Sequence, residues 1–118
     1  MSQFIVLIYE DQARYATMTP DAWGALVDAH TTFRNQISEL GGTLTGGEAL
    51  ASVTTAKTIT GAGTVTDGPF VESREAFGGY YSFEARDLDH AVEMAKLCPA
   101  PFGGVEVRPL IDPSTNPF

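Results

Sequence analysis

At 118 residues the chain is long enough for one domain with a core and too short for two. Its 43% hydrophobic content excludes a disordered protein, and 15 acids against 7 bases, a formal charge of -8, argue against a nucleic-acid or anionic-membrane surface, which needs clustered basic residues. A single cysteine, Cys98, leaves no intrachain disulfide, and no Cys/His cluster has zinc-like spacing, so a reducing, cytoplasmic setting is expected.

The first element is a strand over Gln3 to Tyr9, with Phe4, Val6 and Ile8 on one face and Ile5, Leu7 and Tyr9 on the other. Both faces want cover. The apolar run is too short to span a membrane and no basic residue precedes it, so neither a transmembrane helix nor a signal peptide is expected. Thr19 caps a helix that has Pro20 at its first position and Asp21 in its first turn, and Gly41-Gly42 stops it. Its apolar stripe is Trp23, Leu26, Val27, Phe33, Ile37 and Leu40, and His30 falls on the same stripe.

Thr43 to Leu50 and Ser52 to Thr60 read as strands, the second hairpinned through Gly61-Ala62-Gly63 onto Thr64 to Thr66. That hairpin leads into Asp67-Gly68-Pro69-Phe70. A turn aspartate usually accepts a hydrogen bond from the N–H two residues on, but here that residue is Pro69, which has none. The loop is therefore read as presenting the Asp67 carboxylate, with Phe70 as its apolar anchor; the plainer reading is that Asp67-Gly68 only ends the preceding strand.

Phe77 to Ala85 forms a second strong strand, in which the adjacent Gly78 and Gly79 predict a bulge or a close approach. A second helix starts at the cap Asp87 and runs to Cys98, with Leu88, Ala91, Val92, Ala95 and Cys98 inward. Val105, Val107 and Leu110 supply the last strand or two, and residues 112–118 form an irregular tail after a single domain over 1–111. This order predicts an α+β ferredoxin-like sandwich, an antiparallel sheet with two helices on one face and an inserted hairpin. Two helices cover one face only, and leaving Ile5, Leu7 and Tyr9 bare would forgo roughly 1.5–3 kcal/mol per large side chain. A homodimer packed sheet to sheet is therefore expected.

Several segments together resemble the YCII-related proteins, and within them the branch named for the Asp-Gly-Pro-Phe motif. They are Tyr9-Glu10-Asp11, the helix with His30 and Phe33, Gly47-Glu48-Ala49-Leu50, Thr66-Asp67-Gly68-Pro69-Phe70 with Glu72 and Glu75, Gly78-Gly79-Tyr80-Tyr81, Asp87-Leu88-Asp89 with Ala91, and Val105-Glu106-Val107-Arg108-Pro109. The resemblance implies a ferredoxin-like fold and a dimeric α/β barrel. The wider superfamily is similar to muconolactone isomerase-like proteins and includes a dehydrochlorinase acting on chlorinated hydroxymuconate, and a histidine with an aspartate is the acid/base pair proposed in YCII-like relatives. Carried over, the histidine matches His30 and the aspartate matches Asp11, while Asp67 belongs to the branch's own motif. Genes of the branch often sit beside alternative sigma-factor genes, which implies a regulatory association as the other reading.

The candidate chemistry is proton transfer by His30, oriented by Asp11 or Asp67, in a small isomerase or lyase that needs no metal or organic cofactor. The plainer reading of His30 is a core imidazole with both nitrogens satisfied. Tyr9, Phe70, Tyr81 and Phe83 either line an apolar pocket or are ordinary core. Arg74 either binds a substrate carboxylate or, between Glu72 and Glu75, is a solvated charge. His90 is read as exposed and Cys98 as buried rather than nucleophilic. The expected partners are a second copy and a small acidic or apolar organic molecule, with no nucleic acid and no membrane. The competing class is a ligand-sensing or protein-interaction module without chemistry; an imidazole that reaches a cavity favours the enzyme, and one sealed among Leu26, Phe33 and the sheet favours the module.

Overall fold

A computed structural model describes all 118 residues. Strand β1 (Ser2–Glu10) is central, because its alternating large side chains give it two apolar faces, and it pairs on one side with β5 (Ala76–Ala85) and on the other with β6 (Gly103–Pro109). Strand β2 (Thr43–Ala49) extends the sheet beyond β5, giving the antiparallel order β2-β5-β1-β6. Helices α1 (Pro20–Glu39) and α2 (Leu88–Ala95) connect its strands. Strands β3 (Lys57–Ile59) and β4 (Val65–Asp67) form a separate hairpin inserted between β2 and β5. This is the expected ferredoxin-like α+β arrangement. No helix is long and apolar enough to cross a membrane.

The core lies between the sheet and the two helices. Phe4, Val6 and Ile8 of β1 and Tyr81, Phe83 and Ala85 of β5 meet Phe33 and Ile37 of α1 and Ala91, Met94 and Ala95 of α2. Removing each of the larger side chains from water stabilises the fold by roughly 1.5–3 kcal/mol. Thr19 caps α1 as its sequence predicts, accepting the Ala22 N–H at 3.1 Å.

The helices differ from their predicted stripes in an informative way. Of the α1 stripe only Phe33 and Ile37 are buried, whereas Trp23 is 54% exposed and Val27 and Leu40 are exposed as well. The N-terminal half of the helix stands over a cavity instead of over the core, which is why its apolar residues keep solvent contact. Helix α2 is shorter than expected: it ends at Ala95, and the last residues tighten into turns in which Leu97 N–H and Cys98 N–H donate to Met94 and Ala95 carbonyls at 3.0 Å. Its inward residues are His90, Ala91, Met94, Ala95 and Cys98, while Leu88 and Val92 face outward. His90, expected at the surface, is buried because its ring joins two elements: Nδ1 accepts the Arg86 N–H at 3.1 Å and Nε2 donates to the Leu40 carbonyl at 2.6 Å.

The glycine pair of β5 produces the expected bulge. Ile8 pairs with Gly79 and Tyr9 with Phe77, so Gly78 is the extra residue. The bulge moves Phe77 off the face it would share with Tyr81 and places its ring 5.7 Å from that of Tyr9, on the side of the sheet away from the helices. Ile5, Leu7, Tyr9 and Tyr80 on that side are half-buried. The stretch expected as a strand over Ser52 to Thr60 holds only β3, preceded by a short 3-10 turn at Val53–Thr55 whose cap, Ser52, accepts the Thr54 N–H at 3.2 Å. An unpredicted 3-10 turn at Gln12–Thr17 links β1 to α1.

Candidate functional site

A cavity of about 610 Å³ opens between the N-terminal half of α1, the 3-10 turn after β1, and the ends of β2 and β5. Helical spacing places Trp23, Val27, His30 and Arg34 along one side of α1, and all four line the cavity. The sheet contributes Ile8, Glu10 and Tyr81. Gly47 of β2 makes room for the Tyr81 ring, since a Cβ there would stand 2.6 Å from its Cδ1. Gln12 accepts the Val53 N–H at 2.8 Å, tying the segment after β2 to the turn after β1, and Gln12 and Ser52 both line the cavity.

His30 reaches this cavity and is not walled off. Its Nδ1 sits 2.8 Å from the Tyr81 hydroxyl, and the rings are 5.8 Å apart. The hydroxyl both donates and accepts, so it can hold either neutral tautomer with Nε2 left for a ligand. Arg34 Nη1 donates to the same hydroxyl at 3.5 Å. Burial lowers the His30 pKa below the ordinary imidazole value of 6.5; the Glu10 carboxylate opposes the shift and the Arg34 guanidinium adds to it. The net shift favours the neutral imidazole. Burial likewise raises the Tyr81 phenol, against the pull of Arg34, so it is a neutral hydroxyl.

Glu10 is the buried carboxylate of the cavity. It accepts the Tyr15 hydroxyl at 2.5 Å and the Phe102 N–H at 3.1 Å. Burial, with the hydrogen bond and charge of Glu10, pushes the Tyr15 phenol far above its usual value. Tyr15 in turn packs edge-on against Trp23 at 6.0 Å and Phe102 at 4.9 Å.

The other residues singled out by the sequence are dispersed. Asp11 caps the 3-10 turn, accepting the Ala13 N–H at 3.2 Å, and Asp67 forms an exposed cross-strand ion pair with Lys57. Neither lines the cavity or contacts the His30 ring. Phe70 is 81% exposed, Arg74 pairs with Glu75 at 3.2 Å on the surface, and Tyr9 lies on the far side of the sheet. Tyr81 alone of the candidate binding residues lines the cavity, and Phe83 is core. Cys98 is buried, and burial pushes its thiol up to about 12. No group of three or more His, Cys, Asp or Glu side chains is gathered as metal ligands.

Glu10, Tyr15 and Arg34 were missed by the sequence reading. Two of them carry a signal: Glu10 continues the alternation of Phe4, Val6 and Ile8 onto the inner face, and Arg34 follows His30 by one helical turn. Tyr15 carries none, since it depends on an irregular turn.

The fold and this cavity define an α+β ferredoxin-like domain with a histidine-bearing pocket between its first helix and its sheet. The family model of the YCII-related domain matches residues 2–114, and the chain belongs to that family. No functionally curated protein matches it.

Proposed function

We propose that the protein is a cofactor-independent isomerase or lyase in which His30 moves a proton on a small organic molecule. The observation that carries this reading is the His30 ring open to the cavity with its Nδ1 held by the Tyr81 hydroxyl. Nε2 takes a proton from a carbon next to a carbonyl, and the C–H electron pair moves into the enolate. The imidazolium then returns the proton at another carbon, or a leaving group departs from the neighbouring carbon with the electron pair. Tyr81 is a positioning residue, because it acts through His30.

Support for the His30 role comes from geometry and from membership of the YCII-related family. In this reading the Tyr81 hydroxyl, not Asp11 or Asp67, orients the imidazole, and Glu10 acts on it through its charge alone. The half-buried apolar side chains on the helix-free face support a second copy packed there, as a dimeric α/β barrel.

The test is exchange of carbon-bound hydrogen in heavy water, followed by NMR, on lactones and halogenated unsaturated acids. Exchange is expected with wild type, and a loss of roughly 10²–10⁴ with His30→Gln. Equal rates in the two proteins would remove His30 from the chemistry and leave the pocket a binding site.

A further inference from the structure

We infer that Arg34 anchors a carboxylate of the ligand, so that the cavity selects a small organic acid over a neutral molecule of the same shape. This deepens the proposed function and rests on the same cavity being the working site. The inference starts from the bases. Of the seven bases, Lys57, Arg74, Lys96 and Arg108 each pair with a carboxylate, Arg14 lies over the Phe102 ring at 4.6 Å, and Arg86 has no carboxylate partner but lies outside the cavity. Arg34 lines the cavity and meets only neutral oxygens, the Tyr81 hydroxyl at 3.5 Å and the Thr31 hydroxyl at 3.2 Å.

In a chain with 15 acids, a cavity-lining guanidinium without a carboxylate partner leaves its fork of donors for an incoming anion. The two acids in the wall do not meet it. Glu10 is taken up by Tyr15 and the Phe102 N–H, and Glu48 stands opposite Tyr80, whose side of the sheet is the one away from Tyr81. Arg34 follows His30 by one turn, a rise of about 6 Å, so a carboxylate on Arg34 brings carbons a few bonds away to the imidazole. The apolar wall of Trp23, Leu26 and Val27 suits a flat hydrocarbon body between these points.

Trp23, the one tryptophan of the chain, lines the cavity and supplies the readout. Its fluorescence is titrated at constant ionic strength with benzoate and with the neutral benzamide. Wild type is expected to bind benzoate saturably and roughly tenfold more tightly than benzamide. Arg34→Gln is expected to weaken benzoate about tenfold and leave benzamide unchanged, with Arg34→Lys recovering part of the difference. Equal affinities in wild type, no saturable benzoate binding, or unchanged benzoate affinity in Arg34→Gln would each overturn the assignment. The wild-type comparison stands even if a variant fails to fold. Hydrogen exchange reads His30 separately, so benzoate selectivity without exchange keeps Arg34 and removes the chemistry, and exchange without selectivity does the reverse.

Discussion

His30 is placed to work because its surroundings pull its protonation in opposite directions. Burial and Arg34 favour the neutral ring, while Glu10 favours the charged one. A base with a lowered pKa works above that value, so exchange activity is expected to fall on the acid side of 6.5 and to stay level through neutral pH. Stability follows the same sign. As pH drops from the ordinary imidazole value to the lowered one, the unfolded chain takes up the proton first, so this contribution to stability is lost across that window. His30→Gln is expected to flatten that limb in denaturation curves taken at several pH values. Replacing Glu10 with Gln removes the opposing charge, so the midpoint of the activity profile is expected to move further down. A midpoint that stayed put would mean that Glu10 does not act on His30.

At the scale of elements, the alternation in β1 and the caps Thr19 and Asp87 made two strands and two helices legible, because each signal is local. The rotation of α2 was not legible. It is fixed by His90, whose ring accepts the nearby Arg86 N–H and also reaches the Leu40 carbonyl at the end of α1, a partner fifty residues away that adjoins only in the folded chain. The Asp67 loop shows the same limit. Its turn chemistry is readable, but the cross-strand register with Lys57 decides where its carboxylate goes. Strand pairing itself is testable at Gly103, where a Cβ would stand 1.9 Å from the Tyr9 carbonyl oxygen across the β1–β6 ladder. Gly103→Ala is expected to cost about 1–3 kcal/mol or more in urea denaturation. Gly104→Ala, which meets nothing within 4 Å, is the control. Equal midpoints would show that the ladder yields at no cost.

For the whole molecule, the two sides of the sheet divide the work. The helix side holds the core at one end and the cavity at the other, and the opposite side carries Ile5, Leu7, Tyr9 and Phe77. If a second copy covers that side, wild type is expected to run as a dimer in light scattering, and Leu7→Lys is expected to shift it to monomer by placing a charge in the joint. A monomeric wild type at micromolar concentration would remove the dimer. The chain's residues alone determined the α+β class and the two-faced first strand, since periodicity and capping act over a few residues, while the candidacy of His30 came from the family resemblance. Only the tertiary structure decided that Glu10, Tyr81 and Arg34, rather than Asp11, Asp67 and Arg74, line the same cavity as that histidine. They come from different elements, and the register across the sheet and the placing of α1 over it bring them together.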